Sequence, residues 1–94
     1  MMNNSANELS RRVTITNDLG IHARSAAKIA KLAQNVKSNV WIIKDGEKAD
    51  ASSIIDILTL VCPKGSTITL KIDDQSDLGI LNDLVQLIEN GFGE

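Results

Sequence analysis

Val40-Trp41-Ile42-Ile43-Lys44-Asp45-Gly46-Glu47-Lys48-Ala49-Asp50-Ala51 is the stretch that decides the fold class of this chain. Val40 to Ile43 is strand-like, rich in β-branched and aromatic side chains. Asp45-Gly46 then reads as a hairpin turn, whose two central residues must tolerate positive φ. Glu47 to Ala51 returns as a short second strand. A hairpin makes its strands antiparallel, and an antiparallel sheet commonly packs one face on a core while the other meets solvent. Apolar helix stripes elsewhere in the chain are therefore expected on a single face.

Reading outward toward the N-terminus, Arg12-Val13-Thr14-Ile15-Thr16 alternates with the period of a half-buried strand. Asn17-Asp18-Leu19-Gly20 is a turn. From Ser25 to Val36, Ala26, Ile29, Ala30 and Ala33 recur at i, i+3, i+4 and i+7, one stripe of a helix. Toward the C-terminus, Ser53-Ile54-Ile55-Asp56 fits a Ser-x-x-Asp capping box and opens a short helix that must stop before Pro63. Lys64-Gly65 is another turn. Ser66 to Ile72 alternates again, with Ile68, Leu70 and Ile72 on one face. Asp73 to Asp77 is a polar break carrying an N-cap. Leu78, Leu81, Leu84, Val85 and Ile88 mark a final amphipathic helix, ended by Asn90-Gly91. The order is β-α-β-β-α-β-α. It predicts an α+β, open-faced two-layer β-sandwich, a four-stranded antiparallel sheet with three helices on one face. Residues 1–10 are polar and read as a flexible tail, with one domain over 11–94.

Composition narrows the function. At 94 residues, 43% apolar and 23% charged, the chain is a single ordinary globular domain. It has no apolar run long enough to span a membrane and no secretory signal at its start, so a cytoplasmic location is expected. One cysteine, Cys62, forms no internal disulfide and reads as a small buried apolar residue. A net charge of −2 and only two aromatic residues, Trp41 and Phe92, argue against a nucleic-acid partner. Trp41 is expected on the sheet face away from the helices, partly covered.

Gly20-Ile21-His22-Ala23-Arg24-Ser25-Ala26 contains the only histidine. It sits where a glycine turn runs into a helix start, whose first N–H groups lack intrahelical partners and favour an anion. The helix dipole disfavours a positive imidazole there, leaving a ring nitrogen free as a nucleophile. Arg24 can bring its planar fork to the same point and bind phosphate oxygens. Nucleophile, anion-binding helix end and arginine together suit phosphoryl transfer to histidine. The residues alone leave a second reading open, in which His22 is a surface residue or a simple cap. Metal binding is not expected, because no second histidine or well-placed cysteine supplies ligands, and no cofactor is implied. Nothing near His22 and Ser25 identifies the orienting acid or oxyanion hole that a hydrolase needs.

Gly20-Ile21-His22-Ala23-Arg24 resembles the active-site signature of the HPr family, the histidine phosphocarriers of the phosphoenolpyruvate-dependent phosphotransferase system. The likeness runs from about Arg12 to Glu94. It includes the element order, Ala51-Ser52-Ser53-Ile54 at the regulatory-serine segment, and Pro63-Lys64-Gly65 after the short helix. The resemblance implies that His22 accepts a phosphoryl group on Nδ1 from phosphorylated enzyme I and passes it to EIIA-type acceptor domains. It implies that Arg24 stabilises the phosphate, and that the protein is a monomeric carrier, not an enzyme. It also makes Ser53 a site for an HPr kinase/phosphorylase, although a serine before a helix is sufficiently explained as an N-cap. Phosphate on Ser53 would set charge beside a docking patch and oppose partner binding.

That patch is expected from composition. The short helix carries more apolar residues than one buried face needs. Ile57, Leu60 and Val61 are expected inward, leaving Ile55 and Leu58 outward with Ile54 at the margin. With Ala23 and Ala27 these form the expected partner-docking surface. Two positions depart from the family pattern. Ser25 stands where proline is usual, which removes a backbone restraint and is expected to loosen the loop or alter donor specificity. Asp56 replaces a glycine or lysine, and its charge is expected to serve the capping box or to weaken kinase or partner recognition. The rival functional class is a regulatory binding protein of the same fold, acting through the phosphorylation state of His22 and Ser53 with little role in sugar transport.

Overall fold

The computed structural model describes residues 9–94, so most of the expected polar tail lies outside the described residues. The strands are β1 (Ser10–Thr14), β2 (Val40–Lys44), β3 (Glu47–Asp50) and β4 (Thr67–Ile72). The helices are α1 (Ala23–Ala33), α2 (Ile54–Thr59) and α3 (Leu78–Glu89), with short 3₁₀ turns at Gln75–Asp77 and Gly91–Gly93. The strands form one sheet in the order β1-β4-β2-β3, every pair antiparallel. The expected hairpin is present: Lys44 pairs with Glu47, and Asp45 and Gly46 both take positive φ.

Alternation decides which face is buried. Val13, Val40, Ile42, Ala49, Ile68, Leu70 and Ile72 all turn to one side and are almost wholly buried. Each large side chain among them contributes on the order of 2 kcal/mol. The helices meet that face through Ala26, Ile29, Ala30 and Ala33 of α1, Ile57 of α2, and Leu81, Leu84 and Ile88 of α3. Trp41 lies on the other face, half-buried, its Nε1 donating to the Asp73 carboxylate at 3.1 Å with Lys48 Nζ 4.3 Å from the ring centre.

Several expected boundaries shift. β1 starts at Ser10, two residues before the alternation begins at Arg12, because β4 pairs with it from Lys71 back to Thr67. Ile15 lies past the strand yet stays buried, its N–H bonded to Ser66 O. α1 starts at Ala23, with His22 itself as N-cap, and ends before Val36. In the polar break, Asp74 caps the 3₁₀ turn. Asp77 makes no cap contact with α3; it is buried and accepts from the N–H groups of Lys37 and Ser38, tying the loop after α1 to the start of α3.

Val61 is corrected outright: it is 68% exposed, not inward. The α2 helix stops at Thr59 and Val61 adopts φ of 54°, so helical spacing no longer governs where its side chain points. Leu58, expected outward, is half-buried and packs against the core.

Candidate functional site

The turn before α1 is pressed against the segment after α2. Gly20 has φ of 66°, and a Cβ there would meet Cys62 O at 2.5 Å and Pro63 Cα at 2.8 Å. Only glycine fits that approach. The next residue locks it, Ile21 N–H donating to Cys62 O at 2.8 Å. Cys62 is buried as expected, and burial pushes its thiol pKa up, away from the reactive thiolate.

His22 is the N-cap of α1, with extended backbone. Its Nδ1 accepts from the backbone N–H of Arg24 at 3.3 Å, while its Nε2 lies 2.6 Å from Glu94 Oε2. Both contacts assign the same tautomer. A carboxylate accepts only, so Nε2 carries the hydrogen; an N–H donates only, so Nδ1 keeps its lone pair. The ring therefore presents Nδ1 as the nucleophilic atom, aimed at the helix N-terminus. The Arg24 side chain is exposed beside it.

Glu94 is the residue at this site that sequence spacing missed. It reaches His22 across 72 positions, and Asn17 Nδ2 donates to its other oxygen at 3.0 Å. The hydrogen bond from His22, then that from Asn17, hold the Glu94 carboxyl below its ordinary range, helped by the Arg24 charge. Asn17 is buried and also donates to Gly20 O, so one amide braces both the turn and the acid. Phe92 anchors the segment leading to Glu94: it is buried with φ of 60°, and its carbonyl accepts from Lys28 Nζ at 2.6 Å. No local motif signals this arrangement.

Ser25 is tied into the loop. It is fully buried, and its Oγ accepts from His22 N–H at 2.8 Å, completing a reciprocal cap with the His22 ring. The hydroxyl proton has His22 O at 3.1 Å and Gly20 O at 3.5 Å within reach.

The second site is α2, which packs against α1. Ser53 is its N-cap, the hydroxyl accepting from Asp56 N–H at 3.2 Å. The expected box is only half formed, because the Asp56 carboxylate turns instead to Asp50 N–H at 3.3 Å. Among the docking candidates, Ala23, Ile54 and Ile55 are exposed, Ala27 and Leu58 half-buried. Leu19, in the turn ahead of His22, is 65% exposed and was not among them. No group of three or more His, Cys, Asp or Glu among the described residues could hold a metal.

Residues 9–90 match the family model described as the PTS HPr component phosphorylation site. The chain is 42% identical over 86 residues to phosphocarrier protein HPr of Cupriavidus necator, covering 92% of this chain and 97% of that one. This chain belongs to the HPr family. A relative called phosphocarrier protein NPr, from Shewanella violacea, is 38% identical over 87 residues, covering 93% and 96%. The HPr-C-His structure from Thermoanaerobacter tengcongensis superposes with a TM-score of 0.85 at 34% identity, covering 90% and 96%. Like its family, the chain is a phosphocarrier that shuttles a phosphoryl group through histidine in the phosphotransferase system, and it is not itself an enzyme. Its partners are those of that system, enzyme I and EIIA-type domains. No helix among the described residues is long and apolar enough to cross a membrane.

Proposed function

We propose that His22 Nδ1 is the atom that carries the phosphoryl group, in a cytoplasmic, monomeric carrier. The supporting observation is the paired contact on the ring, Glu94 at Nε2 and the α1 N-terminus at Nδ1. In the transfer, the Nδ1 lone pair forms a bond to the donor's phosphorus while the donor's own bond to phosphorus breaks, its electron pair leaving with the donor. The hydrogen on Nε2 stays on the ring, where the Glu94 carboxylate offsets the positive charge that phosphorylation creates. Arg24 and the first N–H groups of α1 take the phosphoryl oxygens. Passing the group to an acceptor reverses these steps.

Ala23, Ala27, Ile54, Ile55 and Leu58 are the proposed docking surface, lying on the two helices that pack beside the site. Ser53 is the proposed regulatory site for an HPr kinase/phosphorylase. Its phosphate would put about two negative charges next to Ile54 and Ile55, to be desolvated on docking. A Ser53→Asp variant is then expected to accept phosphate from enzyme I more slowly; an unchanged rate would remove Ser53 as a switch.

Labelled phosphoenolpyruvate with enzyme I tests the main reading. The expected result is acid-labile label on the protein and none on His22→Ala. A second reading is a regulatory binding protein of the same fold, in which the phosphorylation state of His22 and Ser53 mainly regulates other proteins. Phosphoryl transfer to a sugar-specific acceptor at a rate matching enzyme I turnover would exclude it.

A further inference from the structure

The cap of α1 has two halves, and phosphoryl transfer must break one of them. The His22 half depends on Nδ1 accepting from Arg24 N–H, and Nδ1 is the atom that takes the phosphoryl group. Once its lone pair is bonded to phosphorus, it accepts from no one. The Ser25 half is independent of the ring: Oγ holds the backbone N–H of His22 at 2.8 Å from a fully buried position. The geometry points to Ser25 as a positioning residue for phosphoryl transfer, the part of the cap that survives when His22 reacts and keeps the phosphoryl group over the α1 N-terminus. This inference rests on His22 being the acceptor.

The consequence is a difference between the two states of the carrier. The free form keeps both halves, so losing the Ser25 hydroxyl still leaves the ring as cap. In the phosphorylated form the hydroxyl is the side-chain cap that remains on the His22 backbone, and its loss lets the loop and the phosphate drift from the N–H groups. A merely structural serine lowers the stability of both forms equally and leaves their equilibrium alone.

Ser25→Ala, Ser25→Thr and wild type are to be compared in one assay, with the phosphoryl group equilibrated against enzyme I. Urea unfolding of the unphosphorylated forms serves as the control for folding. The expected result is about a fivefold lower phosphorylated fraction relative to donor for Ser25→Ala, the ratio that loss of one cap interaction gives. The rate at saturating enzyme I should fall with it while KM holds, and Ser25→Thr, which restores the hydroxyl, should recover most of both. An unchanged equilibrium in Ser25→Ala, with only the urea midpoint lowered, overturns the inference. Acid-labile label persisting in His22→Ala overturns the acceptor assignment and this inference with it.

Discussion

The starts of α1 and α2 are built from the same device, a side-chain cap, and differ in what holds them. At α2, the Ser53 hydroxyl accepts from an N–H three residues on, and nothing distant is needed. At α1, the cap is a histidine whose ring is gripped on its far side by Glu94, 72 residues away, and whose backbone is tied by Ser25. A local cap can be modified or removed without disturbing its surroundings. A cap that is also the proposed acceptor has to be held by others, because phosphorylation at Nδ1 would remove its own contact. The cost of that arrangement is dependence on the whole fold.

His22 separates the two starts most. His22→Ala should abolish acid-labile phosphorylation completely, whereas Ser53→Ala should leave it at wild-type level; both are read with enzyme I and labelled phosphoenolpyruvate. Next in size is the turn that carries His22. Gly20→Ala forces a Cβ into Cys62 O and should cost about 2–4 kcal/mol in urea unfolding. Gly46→Ala, also at positive φ but with nothing within 4 Å of the added carbon, should cost only about 1 kcal/mol. Equal losses at the two glycines would mean that the contact with the segment after α2 does not brace the site.

Ser53→Ala should lower stability by about 1 kcal/mol, the usual worth of a serine cap. The smallest effect is a titration at the α1 cap itself. The Glu94 carboxyl is held below its ordinary value of 4.5, so its contacts are fully present above that value. They are lost as the pH falls through the lowered value, because the protonated acid no longer attracts the His22 and Asn17 donors as strongly. The side-chain amide signals of Asn17 should report this acid step, and Glu94→Gln should remove it. No matching step is expected at the Ser53 hydroxyl, which does not titrate in that range.

Much of this was legible without coordinates. The alternation in Ser66 to Ile72 and the Asp45-Gly46 turn place their side chains correctly because the period of a strand leaves only two faces to choose between. His22 was legible as a cap and candidate nucleophile because a glycine turn before a helix stripe is a local signal. Val61 was misplaced because helical spacing holds only while the helix lasts, and α2 ends two residues earlier. Asp56 was misassigned because a Ser-x-x-Asp pattern names possible partners without saying which N–H is nearer, and that of Asp50 is the one it takes.

What the sequence by itself determined is periodic or local: the element order, the buried face of the sheet, the glycine turn and the histidine that caps the first helix. Tertiary structure alone decided how that histidine is held. Asn17 and Lys28 are far along the chain from Phe92 and Glu94, and no spacing rule links the two pairs. They meet because the fold brings the turn after β1 and the segment after α3 to the same end of the sheet. The ring's tautomer follows from that meeting, since a hydrogen bond between distant residues exists only once packing has set both ends in place.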